Sequence, residues 1–278
     1  MNRSASQNFI HIKRTKGWQF IRIGEINEYK DLISLMALRD LKIRYSQTIL
    51  GGLWAFLQPF ISMVVFTVIL GKFGKIPSDG VPYPLFSFAG LVPWTYFVKA
   101  VSASSTSLVG NTSLLSKVYF PRFIIPLTPV LSGLADFAIA FSTLVCMMAY
   151  FGVYPSLSIL LVPVLLLLMM LTAFGVGTLL AALNAKYRDI NHVTGFLVQL
   201  WMFISPVVYP TSMVPDKYKL IFMLNPLAGI IEGFRWALLG NIPFPGQMLA
   251  CSALVSSMLF FVGLSYFKQM ERYFADII

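Results

Sequence analysis

From Phe123 to Ala185 the chain runs 63 residues with a single formal charge, Asp136. A helix rises about 1.5 Å per residue and a bilayer core is about 30 Å thick. This stretch therefore predicts two crossings, at about 123–150 and 157–182, joined by a turn at Gly152 and Pro155. Four further apolar segments follow the same pattern. The first, about 49–70, starts at Gly51 and Gly52 and carries Pro59, where a kink is expected. An outer loop from Gly71 to Gly80 leads to the second, about 84–108, which is interrupted by Gly90 and Pro93 and holds Lys99 in its inner half. That lysine could snorkel, line a cavity or mark an earlier end to the span. A fifth, about 193–209, is short and closes on SPVVYP, and the last is about 247–267. Residues 210–245 are apolar but broken by Pro215, Pro226, Pro243 and Pro245, and they carry Glu232 and Arg235. Two short helices entering the membrane from outside, or lying on it, fit that pattern better than a clean span.

The polar stretches predict the rest of the plan. In residues 26–47, Ile26, Tyr29, Ile33, Met36, Leu38 and Leu41 recur at roughly helical spacing opposite Lys30, Asp31, Arg39, Asp40, Lys42 and Arg44. This reads as an amphipathic helix lying in the membrane interface, or as a cytoplasmic helix packed on a partner. Residues 1–25 form a basic tail, 109–122 a short cytoplasmic helix, 184–192 an inner loop and 269–278 a second tail. The expected fold is an all-α polytopic membrane protein with one transmembrane domain, 48–268, of six helices.

Composition and charge sharpen this picture. Mean hydropathy is +0.76 and only 12% of residues are charged, about half the share in soluble domains. A net charge of +10 would point a soluble protein toward nucleic acid. Here fifteen of the 21 Lys and Arg fall on the proposed inner side and five outside, with Lys99 unassigned. That is the positive-inside bias with both termini cytoplasmic, and no nucleic-acid partner is expected. The first 20 residues are polar and lack the apolar core of a secretory signal, so the first span is expected to direct insertion.

Several chemistries lack their signatures. No GxxxxGK[ST] phosphate loop occurs; GKFGK at 71–75 has neither the spacing nor the hydroxyl residue. HExxH, CxxC and GxSxG are missing too. Cys146 and Cys251 lie in apolar segments, and His11 and His192 are far apart, so neither a catalytic set nor a metal site is expected. Asp136, alone in a span, is a functional candidate or the partner of a neighbouring polar group. Asp136, Asp189 and Glu232 are assigned to different depths, which argues against a convergent acidic site. GIIEG at 229–233 fits small-residue helix contact. Glu232 and Arg235, three apart, can pair on one helical face.

RDLKIRYSQTILGGLWAFLQP at 39–59, NAKYRDI at 184–190, SPVVYP at 205–210 and NPLAGIIEGFRWALLG at 225–240 occur in this order. Together they resemble the permease subunits of type-2 ABC exporters, and most closely the branch exporting lipid-linked polysaccharides such as O antigen, capsule and teichoic acid. The resemblance implies a homodimer in the cytoplasmic membrane that docks two copies of a separate ATPase. ATP and Mg would sit on that partner, and no cofactor on this chain. The substrate would be a glycan on undecaprenyl diphosphate or another lipid anchor, with surrounding membrane lipids as further partners.

The same resemblance makes 109–120 a coupling helix, with Asn111, Leu114, Leu115, Lys117 and Tyr119 facing the ATPase. It places Tyr187, Arg188 and Asp189 in an inner loop, and Asn225, Pro226, Glu232 and Arg235 in outer gate helices at 213–238. Sugars present apolar CH faces, so aromatic side chains are candidate channel residues: Trp54, Phe56 and Phe60 in the first span, Trp94, Tyr96 and Phe97 in the second, Trp201 and Phe203 in the fifth. Lipid or helix contact would use the same rings. Arg39, Lys42 and Arg44 could recruit the substrate diphosphate or bind anionic head groups. Three alternatives stay open: a type-2 exporter of a drug or ordinary lipid, a membrane enzyme acting on lipid-linked sugars, and a non-catalytic assembly subunit.

Overall fold

The computed structural model describes residues 27–46, 48–187, 189–240, 242–271 and 274. The basic tail at 1–25, Ile26, Arg188 and most of the C-terminal tail lie outside the described residues. Regular structure among the described residues is helical throughout.

Helix α1, Lys30–Ser46, lies along the helix Ile124–Tyr150. It buries Ile33 and Met36 but leaves Leu35, Leu38 and Ile43 exposed. The expected apolar stripe therefore covers only its first half. One face runs from apolar Ile33 and Met36 to polar Asp40 and Arg44, and Leu38 is turned away from it. Gly51 adopts positive φ at the turn into α2, Leu53–Phe66, which continues as a π-helical turn over Thr67–Phe73. Gly71 and Lys72 thus belong to the helix rather than to the outer loop. A β-carbon on Gly71 would meet the Tyr83 ring at 2.9 Å.

Helix α3, Tyr83–Gly110, is the hub. It packs against α2, against α5 at Ile124–Tyr150, against α6 at Val162–Lys186, and against α7 at Ile190–Ile204. Between α3 and α5 lies the short α4, Thr112–Lys117. A 3-10 turn at Leu157–Leu161 leads into α6. After α7 come α8, Asp216–Met223, α9, Pro226–Leu239, and α10, Gly246–Met270. The α6–α10 crossing is close because Gly175 carries no side chain: a β-carbon there would lie 2.6 Å from the Phe260 backbone nitrogen.

Among the described residues, five helical segments are long and apolar enough to cross a membrane: Leu53–Phe73, Tyr83–Gly110, Ile124–Tyr150, Leu157–Lys186 and Gly246–Met270. The expected fifth span is the 15-residue Ile190–Ile204, about 22 Å long at helical rise and too short to cross alone. SPVVYP continues it as irregular chain packed against α3 and α9. The two short helices expected between 210 and 245 occur but differ in setting. α8 buries no residue, whereas α9 is buried along nearly its whole length.

Candidate functional site

Two polar clusters organise the bundle. The first is built on α9. Asn225 caps that helix, its Oδ1 accepting from the Leu227 N–H at 3.1 Å and from Trp201 Nε1 at 2.9 Å. Its amide nitrogen donates to Ser205 Oγ at 2.9 Å. Pro226 occupies the first helical position and Gly240 closes the helix in the left-handed region, the favoured residues at each end.

Within α9, Arg235 is fully buried over the Phe86 ring, 3.7 Å from its centroid. Its guanidinium donates to the Val207 carbonyl at 2.7 Å, and to the Phe86 and Tyr209 carbonyls at 3.4 Å. Glu232 Oε2 lies 3.5 Å away, and Glu232 Oε1 accepts from Thr211 Oγ1 at 3.0 Å. The expected 232–235 pair is therefore formed, and it belongs to a larger knot. The Tyr83 hydroxyl adds a bond to the Val208 carbonyl at 2.7 Å. Gly90 makes the space: a β-carbon there would lie 2.8 Å from Arg235 Nη2. A planar fork of five donors suits this set of diverging carbonyls as an ammonium would not. SPVVYP, the start of α3 and the 225–240 motif thus meet in one place.

The second cluster surrounds Asp136 in α5. Its carboxylate accepts from Arg44 Nη1 at 3.0 Å, from Lys99 Nζ at 3.4 Å and from the Tyr45 hydroxyl. Arg44 also reaches Ser132 Oγ at 3.4 Å. Burial, and then the hydrogen bond to Asp136, push the Tyr45 hydroxyl up to about 12, so it stays a donor at any physiological pH. Lys99 lines a cavity here, one of the three roles its sequence position allowed. The assembly was not legible as a unit, although two of its members, the lone acid and the lone lysine of the apolar runs, stand out in the sequence.

The remaining candidates are placed as follows. Arg39, Lys42 and Arg44 do not form one surface cluster. Arg39 donates to Asn111 Oδ1 at 2.9 Å and to Asp40 at 3.1 Å, Lys42 is exposed, and Arg44 turns inward. The Arg39–Asn111 bond ties α1 to the head of α4. On α4, Leu114 and Leu115 pack against the core, whereas Lys117 and Tyr119 are exposed. Tyr187 and Asp189 are exposed, and Arg188 lies outside the described residues.

Among the candidate channel aromatics, Trp94, Tyr96 and Phe97 are buried in the core of the protomer. Tyr96 donates to the Val130 carbonyl at 2.9 Å, and Phe97 meets Trp201 edge-on at 5.2 Å between ring centroids. Trp54 and Phe203 are exposed, and Trp201 is half-buried. Phe56 and Phe60 line an apolar cavity of about 540 Å³ between α2 and α5.

A helical bundle with five membrane-length segments among the described residues, tied by a charged knot set among irregular backbone, defines a multi-pass membrane protein. The chain belongs to the ABC-2 type transporter family, whose pattern matches residues 31–239. It is 29% identical over 259 residues to the O-antigen export system permease protein RfbA of Myxococcus xanthus, covering 92% of this chain and 98% of that one. A Klebsiella pneumoniae protein of the same name is 29% identical over 249 residues, covering 89% and 95%. The polysialic acid transport protein KpsM of Escherichia coli is 24% identical over 251 residues, covering 87% and 95%.

Proposed function

We propose that this chain is the permease subunit of an ATP-driven exporter that moves a lipid-linked polysaccharide, of the O-antigen kind, across the cytoplasmic membrane. The observation that carries the reading is its match, over nearly its whole length, to permeases named for O-antigen export. The working unit is a homodimer with both termini in the cytoplasm. It binds two copies of a separate ATPase, which holds ATP and Mg. The exposed Lys117 and Tyr119 on and beside α4, with Tyr187 and Asp189 of the inner loop, form the docking surface for that partner. ATP binding and hydrolysis move α4. Through the Arg39–Asn111 bond the motion passes to α1, and the permease alternates between closed and open states. In the closed state the Arg235 knot holds the outer end shut.

The test is reconstitution with a cognate ATPase subunit, in proteoliposomes containing lipid-linked glycan. ATP-dependent appearance of glycan on the opposite face, lost with an ATPase-dead partner, is the expected result. Movement of a small amphiphile but of no glycan would keep the family and sink the substrate.

A further inference from the structure

The Asp136 cluster leaves positive charge unpaired. Asp136 is 5% exposed at its side chain, whereas Arg44 and Lys99, both bonded to it, are 31% and 28% exposed. Their open sides line a cavity of about 250 Å³, bounded further by Tyr45, Gly51, Trp54 and Ala55. Two cations against one carboxylate leave an excess of one positive charge in a half-buried wall, where an unpaired charge is costly. A guanidinium has five N–H donors and an ammonium three. Among the described residues Arg44 uses two groups, on Asp136 and Ser132, and Lys99 one, on Asp136. Both heads therefore keep donors for an anion. The volume falls short of the roughly 300–1,000 Å³ of small-molecule sites, and it suits a compact charged group rather than a whole ligand.

We propose that this cavity binds the phosphoryl group of a membrane lipid, with Asp136 as an internal counter-ion that the incoming phosphate displaces from Arg44 and Lys99. Charge-assisted bonds from these two side chains are the usual means of holding phosphate. The lipid source follows from position. Gly51 lies in the turn that enters the first span, Trp54 and Ala55 lie in its first turn, and Trp54 is 48% exposed. The cavity thus opens at the edge of the hydrocarbon, where anchored head groups are concentrated. Whether the lipid is the glycan carrier rests on the export reading; the phosphoryl site does not.

Competition gives the test its sign. Binding to the full-length chain in detergent is read by native mass spectrometry with a polyprenyl diphosphate, phosphatidylglycerol, inorganic pyrophosphate and phosphate-free diacylglycerol. Arg44→Gln and Lys99→Gln weaken binding of the phospholipids by about tenfold or more, and Lys99→Arg restores it. Asp136→Asn, which keeps an acceptor but removes the competing charge, tightens it several-fold. Loss of binding in Asp136→Asn equal to that in Lys99→Gln would make the cluster purely structural and overturn the proposal, as would diacylglycerol binding as tightly as the phospholipids. Pyrophosphate binding as tightly as either lipid would overturn the membrane-lipid assignment. Preference for the polyprenyl diphosphate marks the substrate carrier as occupant, and preference for phosphatidylglycerol marks bulk lipid; both uphold the site. Should the glutamine variants misfold, Asp136→Asn and Lys99→Arg decide alone. Because neither ATP nor transport enters the readout, a chain that binds but exports nothing keeps this site and loses the export reading.

Discussion

At the scale of single residues, Arg235 ties more of the chain together than any other side chain described above. Arg235→Ala removes the partner of buried Glu232 and orphans the carbonyls of Val207 and Tyr209. Breaking a buried pair in this way costs about 3–5 kcal/mol. The apparent melting temperature in detergent should fall sharply, and Arg235→Lys should recover only part of it, because an ammonium cannot fork to three carbonyls. Unchanged melting in Arg235→Ala would remove the knot from the account of stability. Gly90→Ala should damage the same contact by occupying its space. The double variant with Arg235→Ala should then lose much less than the two single losses added, by at least about 0.5 kcal/mol. Strict additivity would show that the two act apart.

Residue spacing also explains what the sequence did and did not disclose about the basic motif. Each helical step turns about 100°, so Lys42 and Arg44 point to nearly opposite sides of α1 and cannot act as one patch. Nearness in sequence stood in for nearness on a face, and only the second brings charges together. Glu232 and Arg235, at the favourable spacing, were legible as a pair. Their carbonyl partners were not, because backbone acceptors leave no mark in the sequence.

At the scale of elements, the helices and their limits were largely readable because bilayer length and proline punctuation dictate them. Which face a helix buries was not readable for α3. Its apolar residues surround it, so Trp94, Tyr96 and Phe97 gave no sign that they point into the core. Glycines fix the crossings. Gly175→Ala should push α6 from α10 and cost about 1–3 kcal/mol. Gly195→Ala, where nothing lies within 4 Å, should be neutral or stabilising by up to about 1 kcal/mol through helix propensity. Thermal unfolding of the two variants side by side checks the contrast, and equal effects would refute the packing argument. GIIEG is such a crossing, with Gly233 facing Leu165 and Leu249.

At the scale of the whole molecule, polar links tie α1 to two neighbours: to α4 through Arg39 and Asn111, and to α5 through Arg44 and Tyr45 on Asp136. If the export reading holds, Arg39→Ala should leave ATP hydrolysis by the assembled complex within about twofold while export falls by about tenfold, the energy of one charge-assisted bond. Parallel loss of both would mean that Arg39 supports assembly instead. Around this frame α2 leaves Trp54, Ile61, Val64, Val65, Val68 and Ile69 exposed, an apolar face for lipid or, in the proposed homodimer, a second copy.

The Arg235 knot has a consequence for biogenesis. With 14 residues, α9 is about 21 Å long, and an arginine at the centre of a span costs about 2.5–3.5 kcal/mol to insert. Alone it is a poor substrate for the translocon. The carbonyls that receive Arg235 belong to Phe86, Val207 and Tyr209, all translated before it. The ribosome thus delivers the acceptors first and the charged segment second. Helix α10, whose Ser252 and Leu249 close on Gly229 and Gly233, arrives last and seals α9 in place.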